Sequence, residues 1–335
     1  MSSAPTPDEI ARDATWLAQA LDPSQGVVRL IAMDRDSYRA ASFLDDRLLQ
    51  TPVDAQLVPW TVVEEAMAGE LRADARWIFH IGHVGSTMLS RLLGELDGVL
   101  AVREPRFLRD LALTPANIRE RYIAPASKLM SRTFAEEETA CVKATSFASE
   151  IAPDLVPPGA RALFMYATPR NYVASILAGD NSVQELRALA SRRAERLNER
   201  GIHLPAQDDA GLAAVAWAAG MTDLECAAEA MPDRRIGWED FDVMLTEMEA
   251  SLARATELFG FDVPPDRLRA IASGPLMSRY SKALEYEYSS SLRRELIGET
   301  VEQHGRAIDA ALAMLDRAAE KSPLLGRALA RAGES

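Results

Sequence analysis

At 335 residues and 48% hydrophobic content, the chain is long enough to bury a sizeable core, as one large domain or as a core with an appendage. Its 50 acidic residues against 37 basic ones leave a net charge of −13, which argues against a general nucleic-acid or anionic-membrane surface and requires any anionic ligand to be met by a local basic pocket. The two cysteines, Cys141 and Cys226, are too few for a disulfide framework or a zinc site and read as small apolar packing residues, so no metal is expected. The start MSSAPTPDEIARD lacks a basic segment followed by an apolar core, and no stretch reaches the length of a membrane span; a cytoplasmic protein is expected.

Residues 1–75 read as an N-terminal α/β region, a lid, substrate wall or association element. Ile10, Ala14, Leu17 and Leu21 give Pro7–Ala20 a helical spacing, with Asp8 and Glu9 well placed at its start. Val27–Met33 reads as a strand, and Tyr38–Leu49 and Thr61–Leu71 as helices separated by Thr51-Pro52 and the apolar Leu57-Val58-Pro59-Trp60.

Trp77-Ile78-Phe79-His80-Ile81 suits a buried strand, and Met88, Leu89, Leu92 and Leu93 recur at helical spacing. Gly82-His83-Val84-Gly85-Ser86-Thr87 joins them. The first amides of such a helix have no internal partner and the dipole is positive there, so the turn suits a phosphate or sulfate; the alternative is an ordinary connection capped by Ser86. It is not the nucleotide-kinase loop, because two residues separate the glycines and no lysine precedes Ser86. Val99–Val102 reads as the next strand, leaving through Arg103-Glu104-Pro105, where the proline biases Glu104 to an extended backbone. Glu104 is a candidate base at the strand end, or else pairs with Arg103 or Arg109 at the surface. Residues 115–135 suit an amphipathic helix with Ile118, Tyr122 and Leu129 inward. Ala140–Ala144 reads as a third strand whose Lys143 snorkels from the edge or faces the crevice.

Arg161–Ala167 is the fourth strand, followed by Thr168-Pro169-Arg170-Asn171 and a helix whose first turns carry Arg170 and Ser175. Asn181–Met231 is helical around the loop Gly201–Pro205; Arg187, Arg192, Arg193 and Arg196, interleaved with Glu185 and Glu195, read as a solvated face. The helix Gly211–Met231 has a broad apolar face for the sheet. Arg234–Phe241 reads as the last strand, with Glu239 and Asp240 as sheet-edge or helix-start groups, and Val243–Leu258 as the next helix. Gly274–Lys282 is a loop rich in hydroxyls and cations, and Leu292–Leu315 and Leu324–Ala330 are packing or association helices, which keeps a homo-oligomer among the expectations.

About five strands alternating with helices predict an α/β, three-layer P-loop-type fold with a mainly parallel central sheet, residues 76–290, followed by a helical extension, 291–335. The order of Gly-x-x-Gly-Ser-Thr-x-Leu, Arg-Glu-Pro, the Pro169 to Ser175 spacing and Arg-Ile-Gly-Trp-Glu-Asp resembles the P-loop sulfotransferases, which use 3′-phosphoadenosine 5′-phosphosulfate (PAPS). The resemblance implies that Gly82, His83, Val84, Gly85, Ser86 and Thr87 hold the 5′-phosphosulfate. It also implies that Arg170 and Ser175, with Arg279 and Lys282 of the late loop, meet the 3′-phosphate, and that Glu104 accepts a proton from a small-molecule or carbohydrate acceptor. Two family cations are absent: Ala167 stands where an arginine is usual, and His83 stands where a lysine or arginine stabilises the sulfuryl group. Arg170 and Lys143 are the nearest replacements. The alternatives are a degenerate sulfotransferase fold that only binds, and a nucleotide-dependent kinase.

Overall fold

The computed structural model describes residues 3–278 and 290–333. Arg279 and Lys282 lie outside the described residues. Among the described residues eight strands form two sheets: β1 (Trp16–Asp22), β2 (Val27–Ala32) and β3 (Ala55–Pro59) make an antiparallel meander. The other five, β4 (Arg76–His80), β5 (Val99–Arg103), β6 (Thr139–Lys143), β7 (Arg161–Tyr166) and β8 (Arg235–Asp240), pair in parallel in the order β5-β6-β4-β7-β8. The expected five-stranded α/β core is therefore present. A parallel sheet covered on both faces needs near-continuous apolar strands, and all but the first residue of β4, β5, β6 and β7 is buried.

Strand β4 is central. The chain leaves it towards β5 and β6 and then crosses to β7 and β8 on the other side, and this reversal opens a crevice at the carboxyl ends of the strands. Ser86–Leu93 and Met248–Phe259 pack together and against the strands, while Asp209–Glu229 packs with Pro169–Leu177 and Ser290–Ala319. Gly220 lets that long helix approach β4 closely: a Cβ there would lie 2.8 Å from Ile81 Cβ. No described helix is long and apolar enough to cross a membrane.

The N-terminal region departs from the helical spacing read in its sequence. The helix stops at Arg12, Asp13 Oδ1 accepts the Thr15 amide at 2.8 Å, and the chain enters β1, whose interior is buried on both faces. A fully buried strand lacks alternation, so Leu17 and Leu21 imitated a helical stripe. Tyr38–Leu49 is likewise a short helix, Arg35–Ala40, and a 3₁₀ turn, Asp46–Gln50, and Val243–Leu258 is two helices, Phe241–Thr246 and Met248–Phe259. Ile118, expected in the core, is 45% exposed on Ala116–Met130, whereas Tyr122 and Leu129 are buried.

Arg103, the last residue of β5, fastens this region to the core. Its buried guanidinium donates to the carbonyls of Tyr38, Arg39 and Ala41, and burial pushes its pKa down to about 9. Leu44 N donates to Arg103 O at 2.7 Å, and Arg106 N to Leu44 O at 3.3 Å. Residues 38–47 are thereby laid along the exit of β5, where they wall the crevice.

Candidate active site

The crevice holds a cavity of about 350 Å³ whose floor is formed by His80, Glu104 and Lys143 and one side by Gly82–Thr87. Gly82, His83 and Gly85 all have left-handed backbones, with φ of 87°, 56° and 65°. Gly85 is required twice, because a Cβ there would also lie 2.1 Å from Phe241 Cε2. Gly85, not Ser86, is the N-cap of Ser86–Leu93, and no side chain caps that end. The reading of Ser86 as a simple cap is thereby overturned. The Ser86 and Thr87 side chains make no hydrogen bond to any described residue, and both line the cavity beside amides that have no helical partner. The donor set of the loop fits an oxyanion.

His80 closes the floor. Its Nδ1 accepts the Gly82 amide at 3.0 Å, so Nε2 carries the proton and donates to Ala144 O at 3.0 Å, with Glu104 Oε1 3.6 Å away. Burial, and then the Lys143 charge, push its pKa down to about 4, so the ring is neutral at pH 7. Glu104 is ion-paired to Lys143, whose side chain is 1% exposed. Burial would raise the Glu104 pKa, but Lys143 and His80 outweigh it and hold the carboxyl well below the usual range. The structure thus corrects three expectations. Lys143 is buried and does not snorkel, and Glu104 pairs with it and not with Arg103 or Arg109. The Glu104 backbone has φ 50° in place of the extended conformation that a following proline favours. The register explains the pairing, since Arg103 lies opposite Lys143 in the β5-β6 ladder and Glu104 is the next residue.

His83 lies on the cavity wall, its Nε2 3.9 Å from Glu185 Oε2. Two further cations, Arg109 and Arg193, line the same space, and Arg106 is held by Asp46 at 2.6 Å and Asp110 at 3.2 Å. The solvated face read over Arg187–Arg196 is therefore only partly solvated: Arg193 faces the cavity, and Arg196 bridges buried Asp223 (2.6 Å) and Glu150. A cation on a helix of alternating charges carries no sequence signal that it faces a cavity.

Of the residues expected at the 3′-phosphate, Arg170 and Ser175 do not join this cavity. Arg170 pairs with Asp309 at 2.5 Å, and Ser175 Oγ donates to Tyr172 O at 2.9 Å. Ala167 is fully buried, and its carbonyl accepts Trp217 Nε1 at 2.9 Å, so packing under Asp209–Glu229 occupies the place of an arginine. On this side stands a cation missed in the sequence, Arg293. It pairs with Asp242 at 3.2 Å, lies 4.4 Å from the Phe241 ring that packs on Gly85, and its buried Nη2 has no hydrogen-bond partner among the described residues. Asp242 also accepts Asn171 Nδ2 at 2.9 Å. Asp240 Oδ1 accepts the Asp242 amide at 2.7 Å, in the helix-start role read for it.

No family model and no curated protein matches the sequence. Among solved structures, the chain is similar to a sulfotransferase domain from the curacin biosynthetic pathway, at 11% identity over 70% of this chain and 99% of that one, with a TM-score of 0.42. It is similar to a sulfotransferase domain from the Synechococcus PCC 7002 olefin synthase, at 14% identity, 67% and 84% coverage and a TM-score of 0.39. The third is mouse sulfotransferase SULT7A1 complexed with PAP, at 10% identity, 78% and 90% coverage and a TM-score of 0.39. The likeness is one of fold, and the chemistry of this chain rests on its own residues.

Proposed function

We propose that the chain is a sulfotransferase that moves a sulfuryl group from PAPS to a hydroxyl or amine of a small-molecule or carbohydrate acceptor. The observation that carries this reading is the meeting, at the switch point of a parallel sheet, of an uncapped glycine loop with a buried Lys143 ion-paired to Glu104. Loop amides and the Ser86 and Thr87 hydroxyls hold the phosphosulfate end, and Lys143 supplies the positive charge that a lysine or arginine in the loop would. Drawn towards the sulfonate, Lys143 releases Glu104, whose carboxylate regains basicity and takes the proton of the acceptor hydroxyl. The bond from sulfur to the departing phosphate oxygen breaks as the bond to the acceptor oxygen forms, and adenosine 3′,5′-bisphosphate leaves with the electron pair. On the 3′ side, Arg293 is the described cation that can turn to a phosphate.

The engagement of Arg170 by Asp309 and the buried Ala167 favour a second reading, a sulfotransferase fold that binds the bisphosphate without transfer. Both readings require the loop. Ser86→Ala with Thr87→Ala removes two hydrogen bonds to a charged group, about 1.5–3 kcal/mol each, so affinity for adenosine 3′,5′-bisphosphate falls by roughly 100-fold or more in calorimetry. A folded double variant with wild-type affinity would refute the loop assignment.

A further inference from the structure

The charge balance around the cavity is uneven in a way that transfer chemistry at the floor does not require. Of the acids at its mouth, Asp45 is paired with Arg47 at 2.5 Å, Asp46 with Arg106 at 2.6 Å, and Glu185 lies 3.9 Å from His83. Arg109 and Arg193, in contrast, make no ion pair with a carboxylate among the described residues, although acidic residues outnumber basic ones in this chain by 50 to 37. The Arg109 guanidinium lies 5.5 Å from the centre of the Phe147 ring, and that of Arg192 5.7 Å from it. Phe147 and Arg193 also border a smaller adjoining cavity of about 30 Å³, which carries Arg192 as well. Cations left unmatched in an acidic protein, gathered on one aromatic ring beside a cavity, form a field that attracts an anion.

The sheet order says which end of the reaction this anion belongs to. Arg109 follows β5 and Phe147 follows β6, the two strands whose ends place Glu104 and Lys143, and Arg193, on the helix Asp180–Glu199, borders the cavity beside Phe147. Thr168, Arg170 and Ser175 follow β7 on the other side of β4, and the glycine loop lies between the two groups. A donor held by the loop with its nucleoside towards β7 leaves the Arg109 side to the second substrate. We infer that the acceptor is itself an acid: a hydroxyl compound whose anionic group is held by Arg109 and Arg193 beside Phe147 while its hydroxyl faces Glu104. This inference rests on the transfer reading above, and goes beyond it in naming the acceptor's charge and the residues that select it.

The test uses a matched pair of probes, 4-hydroxyphenylacetate and its uncharged amide, which share size and ring and differ in charge. Each is titrated calorimetrically into the full-length protein saturated with adenosine 3′,5′-bisphosphate, and into an Arg109→Gln/Arg193→Gln variant treated alike. A charge-assisted contact predicts at least about tenfold tighter binding of the acid than of the amide, a preference that disappears in the double variant. Equal binding of acid and amide, binding of neither up to millimolar concentration, or a preference that survives in the double variant overturns the inference. Bisphosphate affinity is measured in the same two proteins. If the double variant loses it, the arginines serve the donor and the inference falls. If the wild type binds no bisphosphate yet prefers the acid over the amide, the donor reading falls while the anion subsite stands.

Discussion

The floor and the mouth of the cavity treat charge in opposite ways. At the floor, Lys143 and Glu104 are tied to each other, and His80 beside them is held neutral. At the mouth, Arg109 and Arg192 are exposed and Arg193 half-buried, and none of the three is in an ion pair with a carboxylate among the described residues. The difference follows from water. A charge out of solvent costs several kcal/mol unless paired, whereas a guanidinium at an opening keeps its hydration and can wait for a ligand. The floor should therefore contribute to folding as well as to the proposed chemistry, and the mouth to recognition alone.

The largest expected effect follows from breaking the floor. Lys143→Met strands the Glu104 carboxylate, whose side chain is 18% exposed, and should cost up to about 3 kcal/mol in urea unfolding, with much of the loss recovered in Lys143→Met/Glu104→Gln. A single variant as stable as wild type would show that the pair does not hold the floor together.

Acidification probes the same floor more gently. The His80 pKa is lowered from 6.5 to about 4 in the fold, so the unfolded chain takes up a proton first as pH falls. Stability from this group is complete above about pH 6.5 and is lost as pH drops towards 4, by up to about 3 kcal/mol. Glu104, lowered from 4.5, works in the same sense but only below that value, while Asp110 and Asp223, raised by burial, work in the opposite sense, so between pH 6.5 and 4.5 the His80 share is read by difference from His80→Gln. Across that window the unfolding midpoint of the wild type should drop relative to that of His80→Gln as pH falls; parallel profiles would contradict the neutral, buried ring. The smallest effect is predicted at the mouth: Arg109→Gln/Arg193→Gln should change stability by no more than about 0.5 kcal/mol at any of these pH values. A larger loss would make these arginines structural and remove the contrast.

The same contrast separates what was legible in the sequence from what was not. The strand-loop-helix of Trp77–Leu93 was readable because β-branched and aromatic residues, two glycines and a helical apolar repeat are all local signals. Five parallel strands followed from their alternation with helices. The Lys143–Glu104 pair was not readable: it joins positions 39 apart through the β5-β6 register, which no local pattern encodes. Arg193 was hidden in a charge pattern that suits a solvated helix, and Arg293 in a long amphipathic one. In the N-terminal region, β1 was masked because a strand buried on both sides shows no alternation, with even Gln19 enclosed and bonded to Arg29 at 3.1 Å.

The central claim is that the glycine loop and its floor form a site for the phosphosulfate end of PAPS. It is tested most directly by calorimetric titration of the wild-type protein with adenosine 3′,5′-bisphosphate, beside AMP and ATP. The account predicts that the bisphosphate binds, and more tightly than AMP or ATP. Absence of bisphosphate binding, or tighter binding of ATP, would contradict it.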